Sequence, residues 1–155
     1  MLLGPPFLDP QRVRLYNEHK KGRGLADSEQ STSAEAYRAF LVESCCETFE
    51  MRYFLGEELV GVAVVDRAED ALSAVYFYWD PAHASWSLGT YSILKQVELC
   101  QQLGLTYLYL GLYIGASEAM AYKARFVPHE RLVAGSWTEV GAPAHDQNRP
   151  LSPGL

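Results

Sequence analysis

The stretch from Leu72 to Tyr91 constrains the fold of this chain more than any other. Its first half is an apolar, aromatic run that stops at Asp80-Pro81, as a buried strand stops at a turn. Its second half leads through small residues into a long helical pattern, for which Ser85 or Ser87 is the expected N-cap. A strand that opens into a helix through such a loop directs free backbone N–H groups at one point, and that point attracts phosphate.

Chain length and cysteine content predict one domain in a reducing cytoplasm. The 155 residues suffice for a single core, and we expect residues 1–140 to form the domain and residues 141–155 a mobile tail. No apolar run is long enough to cross a bilayer, and the N-terminus lacks the cationic region and cleavage site of a signal peptide. Three cysteines without a Cys-x-x-Cys pattern, and histidines without ligand spacing, predict a cytoplasmic protein with no metal site and no membrane partner.

The charge balance limits the partners of the chain. There are 19 acidic against 13 basic residues, a formal net charge of −6. Proteins that hold nucleic acid by releasing counterions are usually basic, so this balance argues against tight, unaided RNA binding. A local basic patch remains an alternative to a solvated helix face for five residues near the N-terminus: Arg12, Arg14, Lys20, Lys21 and Arg23.

Hydrophobic periodicity predicts a mixed α/β order of elements. The expected elements are helices beginning at Asp9-Pro10 and Ser33 around a polar turn at 25–33, a hairpin of Thr48–Leu55 and Leu59–Val65, an antiparallel strand Leu72–Trp79, a helix Ser87–Leu103, a parallel strand Thr106–Ile114, a short helix Ser117–Ala124 and a last strand Leu132–Val140. We expect the long helix to bury one apolar stripe, formed by Leu88, Tyr91, Leu94, Val97 and Leu103.

This order of elements resembles the N-acetyltransferase-like (GNAT) folds, in which antiparallel hairpin strands precede a strand–helix–strand crossover. The resemblance implies two splayed central strands and a nucleotide-bearing acyl donor bound beneath the loop after the first of them. That loop keeps Leu88-Gly89-Thr90 and lacks the family's usual Arg/Gln-x-x-Gly-x-Gly/Ala form, which points to a donor other than acyl-coenzyme A.

A narrower resemblance rests on five motifs in order and spacing: Val64-Val65-Asp66, Leu72 to Pro81, Ser87 to Ser92, Tyr107 to Ile114 and Met120 to Pro128. Over residues 10–140 the chain resembles the C-terminal domain of the arginyl-tRNA–protein transferases and of the bacterial aspartate/glutamate leucyltransferases. The resemblance implies transfer of an amino acid, of the arginine or leucine type, from the 3′ end of charged tRNA to a free amino group. The typical acceptor is an acidic protein N-terminus of the N-degron pathway, and the charged tRNA replaces any cofactor.

Two departures from the family bear on the partners. The family's N-terminal domain, with its cysteine motif and arginine-rich segment, is not in this sequence, so a separate tRNA-binding chain is one expectation. The segment Ala84-Ser85-Trp86 stands where bacterial relatives often have arginines. Both departures remove charge that binds RNA or acceptor, so a peptide or small-molecule amine stays open as an acceptor beside a protein N-terminus.

Four residues are expected to contribute to the reaction, which forms an amide from an activated ester and mainly requires amine and carbonyl to be held in line. Asp80 is expected to hold a ribose hydroxyl or the incoming amine, against the alternative of a simple Asp-Pro turn. Asp66 is expected to orient the acceptor amine or to recognise a cationic donor side chain, against a turn role, at the opposite edge of the sheet. Tyr76 and Tyr113 are chosen because they fall on the two strands that should splay.

Five residues are expected to bind the donor. Ser87, Leu88, Gly89 and Thr90 are assigned to a donor phosphate or the terminal adenosine, against the alternative of a plain helix cap. Lys123 is assigned to a terminal phosphate, against that of a surface lysine.

Two other functions stay open on the sequence alone. An N-acyltransferase that uses acyl-coenzyme A predicts coenzyme A binding at the same loop. A non-catalytic module that binds a peptide N-terminus predicts that Asp80→Ala and Lys123→Ala abolish binding with no reaction to lose.

Overall fold

The computed structural model describes residues 1–24 and 31–141. Most of the predicted turn at 25–33 and all but the first residue of the predicted tail lie outside the described residues. The chain forms two compact units, Met1–Gly111 and Leu112–Leu155, which are taken one at a time below. The domain boundary at residue 140 stays a prediction.

The first unit is built on a five-stranded sheet with the strand order β1-β2-β3-β4-β5. Its strands are β1 (Leu2–Gly4), β2 (Glu47–Leu55), β3 (Glu58–Arg67), β4 (Ala71–Trp79) and β5 (Tyr107–Tyr109). Neighbours pair antiparallel, except that β4 and β5 are parallel. The predicted hairpin, antiparallel strand and parallel crossover are confirmed, whereas the N-terminal edge strand β1 was not predicted.

Helices cover both faces of this sheet. The first face carries α1 (Pro10–Gly22) and α2 (Ala34–Leu41), and the second carries α3 (Leu88–Leu103). Along β3, Val62 and Val64 pack towards α1 and α2, whereas Ala63 and Val65 pack towards α3. A strand covered on both faces needs apolar residues at every position, and this explains the aliphatic run in the sequence, which only Gly61 interrupts.

The starts of α1 and α2 follow from their capping residues. Asp9 Oδ1 accepts a hydrogen bond from Arg12 N at 2.8 Å, with Pro10 at the first helical position. Ser33 Oγ accepts one from Ala36 N at 3.2 Å. Both predicted helix starts are confirmed.

The predicted apolar stripe of α3 is wrong. Of its members only Leu88 is buried, whereas Tyr91, Leu94, Val97 and Leu103 are exposed. The buried face of α3 instead consists of Leu88, Ser92, Ile93, Gln96, Leu99 and Cys100. Two of these side chains are polar, and Ser92 Oγ lies 3.0 Å from the hydroxyl of buried Tyr53. Counting apolar residues along the helix does not identify this face, because hydrogen-bonded polar side chains occupy part of it.

β5 is shorter than predicted, and its pairing with β4 ends early. Only Tyr107–Tyr109 pair with Ala71–Ser73, and residues 110–114 are not in a strand. In β4 the register to β3 shifts just beyond this point, where Val64 faces Tyr76 and Val65 faces Ala74, leaving Val75 as the extra residue of a β-bulge. The second half of β4 therefore pairs with β3 on one edge and with no described strand on the other.

The second unit contains α4 (Glu118–Ala121), a 3₁₀ turn (Tyr122–Arg125) and a hairpin of β6 (His129–Val133) and β7 (Ser136–Val140). The predicted short helix is confirmed, and the single strand predicted over Leu132–Val140 is wrong. Ala134 and Gly135 interrupt it with φ angles of 50° and 84°. A turn with positive φ at both central residues is one of the types that connect two strands in a two-residue hairpin. Gly135 was the signal for this turn in the sequence.

The described helices include none with the combination of length and apolar character that crossing a bilayer demands.

Candidate functional site

The free edge of β4 exposes backbone groups that the sheet does not use. In an antiparallel pair, residues that bond to the neighbour alternate with residues whose N–H and C=O point away. Asp80 N donates to Val60 O at 2.9 Å, so the backbone N–H and C=O groups of Tyr76 and Tyr78 also point to β3. The N–H groups of Phe77 and Trp79 therefore point to the opposite edge.

His19 accepts a hydrogen bond from one of these two N–H groups. Trp79 N donates to His19 Nδ1 at 3.3 Å, and the two rings are 4.1 Å apart. The imidazole is 3% exposed, and burial lowers its pKa to about 4. A neutral ring can accept at Nδ1, so His19 ties the end of α1 to the end of β4. Within the described part of the first unit, the Phe77 N–H forms no hydrogen bond.

His19 is expected to make stability depend on pH. Burial lowers its pKa from 6.5 to about 4, so between these values the unfolded chain binds a proton that the folded chain excludes. The contribution of His19 to the free energy of unfolding is therefore complete above pH 6.5 and falls by about 3 kcal/mol as the pH approaches 4. Urea unfolding across this range should show a shallower fall for His19→Asn, which keeps an acceptor near the Nδ1 position. Equal slopes for the two proteins would contradict this role.

The end of α1 also packs against the loop that follows β4. A Cβ on Gly22 would lie 2.5 Å from Pro81 Cγ, so only glycine permits this approach. Arg23, one residue later, places its guanidinium 5.3 Å from the ring centroid of Trp79. The loop thus has a fixed position relative to the free edge of β4.

The N-terminus of α3 lies at the end of this loop and lacks a side-chain cap. Ser87 occupies the predicted cap position, but it has φ 53° and makes no side-chain hydrogen bond to the helix. A capping serine needs extended backbone to reach the amides of the first turn, which a left-handed residue does not provide. No Ser85 cap forms either, since Ser85 lies within the preceding 3₁₀ segment (Pro81–Trp86).

The first turn of α3 is therefore open to an anion. Among the described residues, no side-chain oxygen accepts from the N–H groups of Leu88, Gly89 and Thr90, and a Cβ on Gly89 would meet no atom within 4 Å beyond its chain neighbours and the backbone of its own helix. Free amides at the positive end of a 16-residue helix favour negative charge. These are the residues that the sequence assigned to a donor phosphate, and that role stays a prediction.

Asp80 lies at the mouth of the loop, as predicted. Its Oδ1 accepts from Ala82 N at 2.8 Å and its main-chain oxygen accepts from His83 N at 2.9 Å. One carboxylate oxygen therefore forms the Asp-Pro turn given above as the alternative. The role of the other oxygen towards a ribose hydroxyl or an amine stays a prediction.

Tyr76 does not face α3. Its ring packs between α1 and α2, with centroids 5.7 Å from Tyr16 and 5.5 Å from Phe40. Burial, and then the hydroxyl of Tyr16, raise the pKa of Tyr76 to about 12. The structure gives Tyr76 a place in the aromatic core on the first face of the sheet, and does not bring it to the α3 N-terminus.

Asp66 lies far from Asp80. Asp80 bonds to Val60 of β3, and Asp66 lies six residues further along the same strand, a separation of about 20 Å at 3.3 Å per residue. Its Oδ1 accepts from Thr48 Oγ1 at 2.5 Å across β2 and β3. The two aspartates lie at opposite ends of the strands, as predicted, so Asp66 cannot share a reacting centre with the α3 N-terminus.

Tyr113 and Lys123 belong to the second unit. The guanidinium of Arg131 lies 4.1 Å from the ring centroid of Tyr113. Lys123 Nζ donates to the carbonyl of Leu112 at 2.6 Å, and burial lowers the pKa of Lys123. Both side chains thus have structural partners within their own unit, and their predicted roles towards a substrate stay predictions.

The basic patch that the sequence left open as an alternative to a solvated helix face loses one of its members. Arg12 is buried and forms an ion pair with Glu50, with Nη2 and Oε2 2.9 Å apart. Arg14 pairs with Glu18 on the exposed side of α1 at 3.8 Å. A nucleic acid cannot reach Arg12, because the carboxylate that holds it is completely buried.

Solved structures share this fold. The ribosomal-protein-S18-alanine N-acetyltransferase from Escherichia coli aligns with a TM-score of 0.56 and 12% identity, over 84% of this chain and 78% of that one. The PaiA N-acetyltransferase from Thermoplasma acidophilum in complex with coenzyme A aligns with a TM-score of 0.56 and 12% identity, over 88% and 96%. At such low identity the likeness defines the fold class alone, and the chain has the predicted GNAT-like fold.

The particular family follows from the sequence comparisons. The family described as "Arginine-tRNA-protein transferase, C terminus" matches residues 11–133, so the chain belongs to this family. Aspartate/glutamate leucyltransferases from Thiobacillus denitrificans and Acinetobacter baumannii are 41% identical over 132 residues and 40% identical over 139. The alignments cover 85% and 90% of this chain but 55% and 49% of those proteins. The chain thus spans about half the length of the curated relatives it matches.

Proposed function

We propose that this chain catalyses the transfer of leucine from charged tRNA to the α-amino group of a protein whose first residue is aspartate or glutamate. The names of the relatives support the donor and acceptor classes. The observation that carries the proposal is geometric: β4 stops pairing with β5 after Ser73, and its free edge leads directly to an uncapped helix N-terminus. In this proposal the free edge receives the reactive carbonyl, and the helix N-terminus receives the adjoining phosphate.

The reaction needs little chemistry beyond alignment. The amine nitrogen attacks the ester carbonyl, the bond from carbon to the ribose oxygen breaks, and the nitrogen loses a proton while the ribose oxygen gains one. Holding amine and ester in line contributes up to about 7–11 kcal/mol to lowering the barrier. The site has to supply a donor for the tetrahedral oxyanion and an acceptor for the amine N–H.

The backbone of Phe77 offers both groups on the free edge of β4. Its N–H can donate to the carbonyl oxygen of the ester, and this hydrogen bond strengthens as negative charge develops there. Its C=O points to the same edge and can accept from the attacking amine. His19 already accepts from the Trp79 N–H, so this second amide does not compete with the Phe77 N–H for the carbonyl of the ester.

The binding of the tRNA body calls for further contacts. The net charge of −6 supports a role limited to the 3′ end of the donor, with the remaining contacts made by a separate tRNA-binding chain or segment. We place the activity in the cytoplasm, in the N-degron pathway, where charged tRNA and free protein N-termini are both available.

The test is a transfer assay with the purified chain. We expect label from [¹⁴C]leucyl-tRNA to enter peptides that begin with aspartate or glutamate and not their N-acetylated counterparts, which lack a free amine. The same assay with arginyl-tRNA in place of leucyl-tRNA shows which of the two amino acids the chain transfers. Failure of both charged tRNAs to transfer or deacylate, alone and with a tRNA-binding partner, would contradict the proposal.

Acyl transfer from coenzyme A is a second candidate function, because the two structural neighbours are N-acetyltransferases. Acetyl-coenzyme A in place of charged tRNA distinguishes the two functions in the same assay. Acetylation of the peptides without aminoacyl transfer would favour this second candidate.

A further inference from the structure

Two aromatic rings form an exposed stack in the loop between β4 and α3. The rings of His83 and Trp86 have centroids 4.4 Å apart and planes inclined by 26°. The Trp86 side chain nevertheless remains 52% exposed. A single exposed apolar residue needs no explanation, but here a second ring supports the indole from one side and holds its plane.

This stack directly precedes the open helix terminus. Trp86 is the last residue of the 3₁₀ segment, Ser87 follows it in the left-handed region, and the uncapped first turn of α3 begins at Leu88. A nucleotide presents a flat base and an adjoining phosphate a few ångströms away. The order of a supported indole followed by free amides therefore matches the order of groups at the end of a single-stranded nucleic acid.

We propose that the His83–Trp86 stack is a platform for the 3′-terminal adenine of the donor, with the adjoining phosphate at the first turn of α3. The inference rests on the proposed function and assigns to it a residue that contacts the substrate. Base–aromatic stacking needs no charge, and this suits a chain with a net charge of −6. It also adds to affinity without adding to the dependence on salt.

The platform is tested with two short RNA probes, 5′-ACCA and the same strand with an abasic 3′-terminal nucleotide, using the full chain and titration calorimetry. Trp86→Ala should weaken binding of the adenine-ended strand by about 5- to 150-fold, and should leave binding of the abasic strand unchanged. Trp86→Phe should recover part of the loss. The slope of log affinity against log salt should be the same for wild type and variant.

Trp137→Ala is the matched control, because Trp137 is 53% exposed and lies on the hairpin of the second unit. We expect it to bind both strands as wild type does. Equal binding of ACCA by wild type and Trp86→Ala, an equal loss on both strands, or no binding of ACCA by wild type would each overturn the platform. The transfer assay reports separately: transfer by Trp86→Ala with an unchanged KM for charged tRNA would overturn the platform and leave the proposed function in place.

Discussion

Replacing Arg12 with methionine is expected to lower the free energy of unfolding by about 3–5 kcal/mol, the usual cost of leaving one member of a buried ion pair alone. Glu50 is fully buried, and Arg12 is 6% exposed. The carboxylate of Glu50 accepts from Arg12 Nε at 3.0 Å and from Phe7 N at 3.1 Å. Without the guanidinium, the carboxylate must stay charged in the core or take up a proton, and both outcomes destabilise the folded chain.

Chemical denaturation measures this loss, and Arg14→Met supplies the control. Arg14 lies on the same helix and also pairs with a glutamate, but both side chains are exposed, so its replacement should change stability by less than about 0.5 kcal/mol. The double variant Arg12→Met/Glu50→Gln should recover part of the loss, because no charge is then left buried. A loss at Arg12 as small as that at Arg14 would show that the pair does not stabilise this face of the sheet.

Replacing Gly89 with aspartate is expected to raise stability and to abolish most of the use of the donor. The side chain has space, since no described atom outside the chain neighbours and the backbone of α3 lies within 4 Å of its Cβ position. Removing a helical glycine and placing an acid in the first turn should each stabilise α3 by about 0.3–1 kcal/mol. The same charge repels a phosphate at this terminus, and we expect the KM for charged tRNA to rise on the order of 10- to 100-fold.

Gly89→Asn distinguishes charge from shape, because asparagine and aspartate have nearly the same size. The asparagine variant should keep most of the affinity for charged tRNA at every salt concentration. The defect of the aspartate variant should diminish as ionic strength rises. If both variants lose the same affinity, the first turn of α3 is crowded by another group and does not hold a phosphate.

The sequence predicted the layered order of the first unit because its signals are local. Asp9-Pro10 and Ser33 cap helices through contacts within one turn, and the aliphatic run of β3 follows from burial on two faces. The buried face of α3 could not be predicted in this way. It is set by the hydroxyl of Tyr53, which is far away in the chain and makes Ser92 a core residue.

The candidate site was predicted in part. The positions of the α3 terminus and of Asp80 followed from one continuous stretch of sequence, although the expected serine cap does not form. Tyr76 and Tyr113 were chosen for the strands that carry them, and a strand assignment alone does not say which face a side chain occupies or where β5 ends. His19 was set aside for lack of metal-ligand spacing. Its contact with the Trp79 amide joins residues 60 positions apart, and no local pattern indicates it.

The additional residue in β4 sets two properties at once. Before Val75, Ser73 lies opposite Asp66 of β3. After it, Tyr76 and Tyr78 lie opposite Val64 and Val62, and their side chains point into the aromatic core on the first face of the sheet. Deleting Val75 would remove the bulge and leave both pairings as they are, whereas pairing Val75 regularly with β3 would turn these phenols towards α3 and commit the Phe77 amide to the ladder. The bulge, rather than any single functional group, therefore decides which layer of the molecule receives the phenols and which main-chain amide stays outside the sheet.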